Sequence, residues 1–334
     1  MTIINGIEID DITYSENMIK TAIVNNEPID EKLHVILVIS NPCLFARRYI
    51  LLREFVQRIE KEETDVELYI VELAYGDQKF IITDHENKKH LQLRTVVPMW
   101  HKENMINIGV RRLLPKGWKA MAWIDADIEF ENPTWAKDTL KLLNGTKDIV
   151  QLFSQCLDLD KTGQIMKVHT SAGYQFVKKN PYSNGINHWH PGYAWAITRK
   201  AYERIDGLYE KAILGSGDNI MMHCLISNGH RVLNAENTQD YKESVIKFQE
   251  KIKMLRFGYV PGVIRHHYHG SKKNRFYQER WRILVDHGYE PVIHITADKN
   301  GVLVPTALFP EELKRDIFNY FASRNEDEGY LVEI

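Results

Sequence analysis

Cysteine is scarce in this chain, and neither sign of charge dominates it. The three cysteines among 334 residues, Cys43, Cys156 and Cys224, are scattered and lack metal-site spacing. Each sits among apolar neighbours, so buried reduced thiols are expected. Lysine and arginine (43) nearly balance aspartate and glutamate (45), leaving a formal net charge of -2. That balance excludes a global pull toward nucleic acid or an anionic membrane, so any phosphate recognition must be local. No apolar stretch is long enough to span a bilayer. The first residues lack the basic-then-apolar pattern of a signal peptide. Together these absences predict a soluble chain without an anchor in a reducing interior, the cytoplasm. Repeats and low-complexity tracts are absent too. The remaining composition, 44% hydrophobic and 26% charged, is ordinary for a globular protein able to bury a substantial core.

Patterning along the chain alternates between two periods. His34 to Ile39 is a β-branched run of the kind buried on both faces of a sheet, ended by Asn41-Pro42. A helix follows with Leu52, Phe55, Val56 and Ile59 on one face. Val66 to Leu73 reads as a second strand, Glu103 to Leu114 as a helix stopped by Pro115-Lys116-Gly117, and Ala120 to Ile124 as a third strand. Gly192 to Ile197 is a further strand, with Thr198 capping the helix that starts at Arg199. Helices are expected over Asp218 to Asn228, stopped by Gly229, and along Tyr241, Val245, Phe248, Ile252 and Leu255. A last one opens at Pro310 with Leu313, Ile317 and Phe321, and the charged residues from Arg324 read as frayed. Strands alternating with helices predict an α/β fold with a mostly parallel central sheet flanked by helices, whose ligands bind beyond the carboxyl ends of the strands. The expected divisions are an N-terminal extension (1–32), a main domain (33–285) and a C-terminal helical extension (286–334).

Three constellations carry chemistry. Asp125-Ala126-Asp127 directly follows an all-apolar strand. Residues two apart on a strand point the same way, so two carboxylates converge and repel unless a cation or water lies between them. Hard oxygen ligands suit Mg²⁺ or Mn²⁺, and such an ion would hold a diphosphate. Solvated turn aspartates are the alternative, and the buried strand weighs against it. Next, Gly215-Ser216-Gly217-Asp218-Asn219 presents a carboxylate at a helix start. There Asp218 serves either as an N-cap or as a group that takes a proton from, or hydrogen-bonds, an acceptor hydroxyl. Last, His266-His267-Tyr268-His269 precedes Lys272, Lys273 and Arg275. If Ile264 to His269 is extended, His267 and His269 share one side while His266 and Tyr268 share the other. Imidazoles complete a Mn²⁺ site begun by carboxylates, and the basic cluster can neutralise phosphate oxygens.

The order of these segments resembles the GT-A glycosyltransferases. It is closest to the branch of polypeptide N-acetylgalactosaminyltransferases and β-1,4-galactosyltransferases, and to uncharacterised bacterial and viral glycosyltransferases. The resemblance runs over roughly residues 33 to 285 and is close only in its motifs. These are Ala122-Trp123-Ile124-Asp125-Ala126-Asp127, Gly192-Tyr193-Ala194-Trp195-Ala196-Ile197, Gly207-Leu208-Tyr209-Glu210, Gly215 to Asn219, and a late histidine; Trp100-His101-Lys102-Glu103-Asn104 matches as a phrase. It implies a GT-A fold, with Asp125 and Asp127 as the metal motif and His267 or His269 as the later ligand. Asp218 would face the acceptor hydroxyl, with Gly217 and Asn219 beside the substrate. Ser40, Asn41, Pro42 and Glu72 would border the nucleotide, with Asp125, Lys272, Lys273 and Arg275 on the donor side. Trp189 and His190 would lie near a sugar ring. Two departures stand out: Gly215 replaces the family's tryptophan, and Asp218 replaces its longer glutamate.

The expected activity is metal-dependent transfer of a sugar from a nucleoside-diphosphate sugar, a UDP-sugar, to a hydroxyl of a glycan, protein or small molecule. Inversion with Asp218 as base is expected. A phosphohydrolase with Asp125 as nucleophile is disfavoured, because Glu129 stands where its motif needs threonine and two strands precede Asp125. A non-catalytic glycan- or nucleotide-sugar-binding module is the remaining alternative, and turnover separates it from the enzyme.

Overall fold

The structure is a computed structural model that describes residues 3–4, 7–8, 30–183, 188–277 and 279–329. The expected N-terminal extension therefore lies largely outside the described residues.

The β-branched run forms β1 (Leu33–Ser40), and α1 (Ala46–Glu62) returns the chain for β2 (Val66–Tyr75). Helix α1 buries Leu51, Leu52, Phe55 and Ile59 against the sheet. An unexpected strand follows, β3 (His90–Thr95), with only Leu93 and Thr95 buried, which blurs the apolar signal of a sheet edge. Helix α2 (Lys102–Arg112) leads to β4 (Ala120–Ile124), which is thus the fourth strand of this series rather than the third. Beyond it come β5 (Ile128–Phe130), α3 (Trp135–Leu143), β6 (Ile149–Gln151), β7 (Gln155–Leu159) and β8 (Ile165–Ser171). Then follow α4 (Ala172–Val177), β9 (Trp189–His190), β10 (Ala194–Thr198), α5 (Arg199–Ile205), α6 (Gly217–Leu225) and α7 (Gln239–Ile252). The last elements used below are β11 (Phe257–Tyr259), β12 (Val263–His266) and, near the end, α8 (Glu311–Ser323).

Seven strands form the central sheet in the order β11-β6-β10-β4-β1-β2-β3. Only β10 runs against its neighbours, so the sheet is mostly parallel. A second sheet, β9-β8-β7-β12-β5, stands beside the carboxyl edge of β4. The β4–β10 ladder continues one step past the strands, where Asp125 N–H donates to the Tyr193 carbonyl at 2.8 Å. One apolar core packs Ile36, Val71 and Met105 together with Leu303, Leu313 and Ile317 from the C-terminal stretch; that stretch includes a strand pair, Ile295–Ala297 with Leu303–Pro305. The other core gathers Val35, Phe55, Trp135 and Val150.

Local expectations meet the structure unevenly. Thr198 accepts from Ala201 N–H at 3.2 Å, as a cap should. Helix α6 ends at Leu225, short of Asn228, and a 3₁₀ turn (Gly229–Val232) takes over. Its N-cap is Ser216, in the left-handed region with φ 65°, so Asp218 stands in the first turn and is not the cap. The expectation of fraying from Arg324 is overturned: Arg324 is 3% exposed and Glu326 0%. Their opposite charges explain it, since each finds buried partners described below.

Candidate active site

Strand register assembles the site. His266 on β12 pairs with Ile128 on β5 and with Asp158 on β7, so three chain segments meet in one row beside Asp127. The strand ends at His266, and His267 N–H donates to the Asp127 carbonyl at 2.8 Å. The expected extension through His269 therefore fails, and with it the pairing of side chains. His266 and His269 converge on Asp127, whereas the His267 ring lies 3.3 Å from Glu129.

Asp127 Oδ2 is 2.9 Å from His269 Nε2 and 3.7 Å from His266 Nε2, and the two Nε2 atoms are 3.3 Å apart. The three donor atoms lie within 4.8 Å of one another. Asp127 Oδ1 is buried without a partner among the described residues. A buried carboxylate oxygen left unpaired is costly, and a cation would satisfy it. Burial alone would raise the Asp127 carboxyl, but His269 and His266 hold it well below its usual range. Behind the triad, Asp158 Oδ1 sits 2.7 Å from His266 Nδ1, which turns His266 Nε2 inward. This is the carboxylate–histidine arrangement that orients a metal ligand. Asp158 also pairs with Lys272 and lies 3.8 Å from His169. Burial opposes its ionisation, and His169, His266 and Lys272 together hold it far below the ordinary carboxylate range.

Asp125 lies outside the triad and pairs with Lys102 at the start of α2. Burial works against the Lys102 charge, but Asp125, Asp218 and Glu103 keep it above its ordinary value. Glu103 is buried and accepts from Trp100 Nε1 at 3.1 Å. A Cβ on Gly217 would fall 2.3 Å from Glu103 Oε1, so glycine is required for helix α6 to start over this carboxyl. Asp218 Oδ1 accepts from Asn219 N–H at 2.8 Å. Its Oδ2 lies beside Gly192, where an added Cβ would come within 3.0 Å of it and within 3.1 Å of His190 Cε1. His190 stacks on Tyr193 at 4.3 Å, and the indole N–H of buried Trp189 has no partner among the described residues.

The loop after β1 lines a narrow cleft of about 20 Å³, with Ser40, Asn41, Pro42, Arg48, Trp100 and Arg324 on its walls. Asn41 is tied to Phe45, accepting from its N–H at 3.0 Å and donating to its carbonyl at 2.8 Å. Glu72 does not open onto this cleft as a free acid. Its oxygens accept from Ile81 and Ile82 N–H at 2.8 and 3.1 Å and from Thr83 N–H and Oγ1 at 2.8 and 2.7 Å. Lys273 is exposed, while Arg275 reaches His269, with Nη2 2.8 Å from Nδ1.

Sequence reasoning missed His266, Asp158, Lys102, Glu103 and Glu326. His266 had a local signal in the histidine cluster, and Lys102 and Glu103 stood in the Trp100-to-Asn104 phrase; Asp158 and Glu326 had none.

No protein-family model matches the sequence, and no curated protein matches it. Among solved structures, similarity extends to a Drosophila β-1,4-galactosyltransferase 7 mutant in complex with manganese, UDP-Gal and xylobiose. It is 12% identical, covers 80% of this chain and 87% of its own, and has a TM-score of 0.40. A Desulfovibrio desulfuricans protein described as a nucleotide-diphospho-sugar transferase is 10% identical over 74% of this chain and 89% of its own, with a TM-score of 0.32. A 4-diphosphocytidyl-2C-methyl-D-erythritol synthase from Anaerococcus prevotii is 10% identical over 74% and 90% of the two chains, with a TM-score of 0.33. At such scores the chemistry must come from the site itself.

Proposed function

We propose that this chain is a metal-dependent glycosyltransferase that moves a sugar from a nucleoside-diphosphate sugar, a UDP-sugar, to a hydroxyl acceptor. One observation carries the reading: Asp127, with an orphaned buried oxygen, meets two imidazoles at the carboxyl edge of the central sheet, next to an arginine-lined cleft. One carboxylate and two imidazoles suit Mn²⁺ better than Mg²⁺, which prefers oxygen. Asp127, His266 and His269 would hold the ion, which when bound supplies positive charge against the leaving diphosphate. The same donor set accepts Fe²⁺, but the guanidiniums beside it favour an anionic, phosphate-bearing ligand.

The chain's own groups divide the remaining work. Arg48, Arg275 and Arg324 offer charge-assisted donors to phosphate oxygens. The loop Ser40–Pro42 and the Trp100 ring border the nucleoside end of the cleft. Lys102 fixes Asp125 between the donor and acceptor sides. Asp218, whose Oδ2 lies beside Gly192, accepts the proton of the acceptor hydroxyl as its oxygen bonds to the sugar and the bond to diphosphate breaks; this is the inverting course.

The test is release of nucleoside diphosphate from a panel of nucleotide sugars with Mn²⁺, with Mg²⁺ and with chelator, beside Asp127→Ala. Metal-dependent release from one donor, lost in the variant, supports the proposal. Absence of both turnover and metal-dependent donor binding by calorimetry would sink it. Binding without turnover would instead favour a sensing module.

A further inference from the structure

The segment after α8 docks in an unusual way. Residues Asn325-Glu326-Asp327-Glu328-Gly329 contain no apolar side chain, yet Glu326 is fully buried. Its carboxylate takes Arg48 through Nε and, at 2.8 Å, through Nη2; Arg324 Nη2 lies at 2.7 Å and Arg275 Nη1 at 3.6 Å. Three guanidiniums thus surround one carboxylate, leaving a local excess of positive charge. Arg324 Nε, itself buried, has no partner among the described residues. The neighbouring acids hold on in the same manner. Asp327 accepts from Ala46 and Arg47 N–H at 3.0 and 2.8 Å, and Glu328 accepts from Asn274 at 2.7 Å.

Position gives the cage a meaning. Glu326 Oε2 is 3.7 Å from His269 Nδ1, and the other nitrogen of that ring faces Asp127 at 2.9 Å. One imidazole therefore separates the Glu326 carboxylate from the candidate metal site. On the opposite side, Arg48 and Arg324 line the cleft next to the loop after β1. An anion held here would bridge the metal triad and the cleft, which is the span of a diphosphate between a divalent ion and a nucleoside.

From this arrangement we infer that Arg48, Arg275 and Arg324 form the diphosphate-binding wall of the site, and that Glu326 occupies it as an internal surrogate which the donor displaces. The inference rests on the donor reading above and deepens it. A diphosphate brings more acceptor oxygens and more charge than one carboxylate, so it outcompetes Glu326 while leaving every guanidinium paired. Residues 325–329 are held by charge and hydrogen bonds, with no apolar side chain of their own in the core, so their release leaves the core packing in place.

The experiment is calorimetric titration of the intact chain with inorganic pyrophosphate and with UDP, each with Mn²⁺, beside Glu326→Gln. Amide hydrogen exchange of residues 325–329 is followed in the unaltered protein with and without each ligand. If the carboxylate occupies the cage most of the time, removing its charge tightens both ligands by about tenfold or more. In the unaltered protein, ligand should speed exchange in 325–329 and protect the backbone near Arg48. Unchanged or weaker binding by a folded Glu326→Gln, or slower tail exchange on ligation, overturns the inference. If the unaltered protein binds UDP in either case, the donor reading stands without it. If neither protein binds UDP or pyrophosphate, the donor reading falls first and takes the inference with it. Should Glu326→Gln fail to fold, exchange in the unaltered protein decides alone.

Discussion

Replacing Glu103 with glutamine should make the protein more stable in alkaline solution and leave it unchanged in acid. Burial raises the Glu103 carboxyl from an ordinary 4.5 to about 7, and the Lys102 charge only partly offsets it. In the unfolded chain the same group titrates at its ordinary value. Between those two pH values the folded protein keeps a proton that the unfolded chain has released. Stability from this group is therefore fully present below pH 4.5 and is lost as pH rises through about 7. At 1.36 kcal/mol per pH unit the loss comes to about 3 kcal/mol. Glutamine keeps the size of the side chain and the acceptor for Trp100 Nε1, but it cannot ionise. Urea unfolding of both proteins at a series of pH values isolates the effect, because every other titrating group is shared. The two curves should meet near pH 4.5 and separate by up to about 3 kcal/mol, in favour of glutamine, by pH 8. Parallel curves would mean that Glu103 does not hold its proton. A variant weaker at pH 8 would mean that ionised Glu103 is needed as a partner for Lys102, reversing the sign of the argument.

Two other substitutions probe the support of the site. Asp158→Asn removes the charge that orients His266 and should lower Mn²⁺ affinity by about 10- to 100-fold; calorimetry showing unchanged affinity would exclude His266 from the metal site. Gly217→Ala forces a Cβ to within 2.3 Å of Glu103 Oε1, and this overpacking should cost about 1–3 kcal/mol. Combining it with Glu103→Ala should recover most of that loss in a double-mutant cycle, whereas strictly additive effects would show that the two residues do not meet.

The parts legible in the sequence were those with a local signature. Five apolar positions in succession, Val35 to Ile39, gave β1, and five gave β4, because burial on both faces leaves little room for polar residues. The aspartate pair stands just past the end of such a strand, but only Asp127 meets the histidines, while Asp125 pairs with Lys102. What escaped was set by pairing between distant segments. Asp158 reaches His266 only because β7 and β12 lie side by side in a particular register. No periodicity within either strand encodes that register. The alternation rule put His267 with His269 on the premise of an unbroken strand; the strand stops at His266, and the turn that follows brings the first and last histidines of the cluster together. Glu326 looked like part of a solvated tail because its partners lie as many as 278 residues away.

A similar relocation explains the clearest departure from the glycosyltransferase pattern. Gly215 stands where a tryptophan was expected, which suggests a lost aromatic wall on the acceptor side. In space the wall is present: a Cβ on Gly215 would lie 3.2 Å from the Trp100 ring, so the indole covers the turn from another segment. Its N–H is fixed by Glu103 at 3.1 Å, and the Arg324 guanidinium stacks over it at 5.3 Å. The small residue is then a condition of the arrangement, since a side chain at 215 would displace the ring that its absence admits. With φ at 94°, that position also disfavours any other residue. Trp100 thereby touches both the acid beneath Asp218 and a cation of the arginine cage. A single indole thus joins the Glu103 side of the site to its arginine cluster.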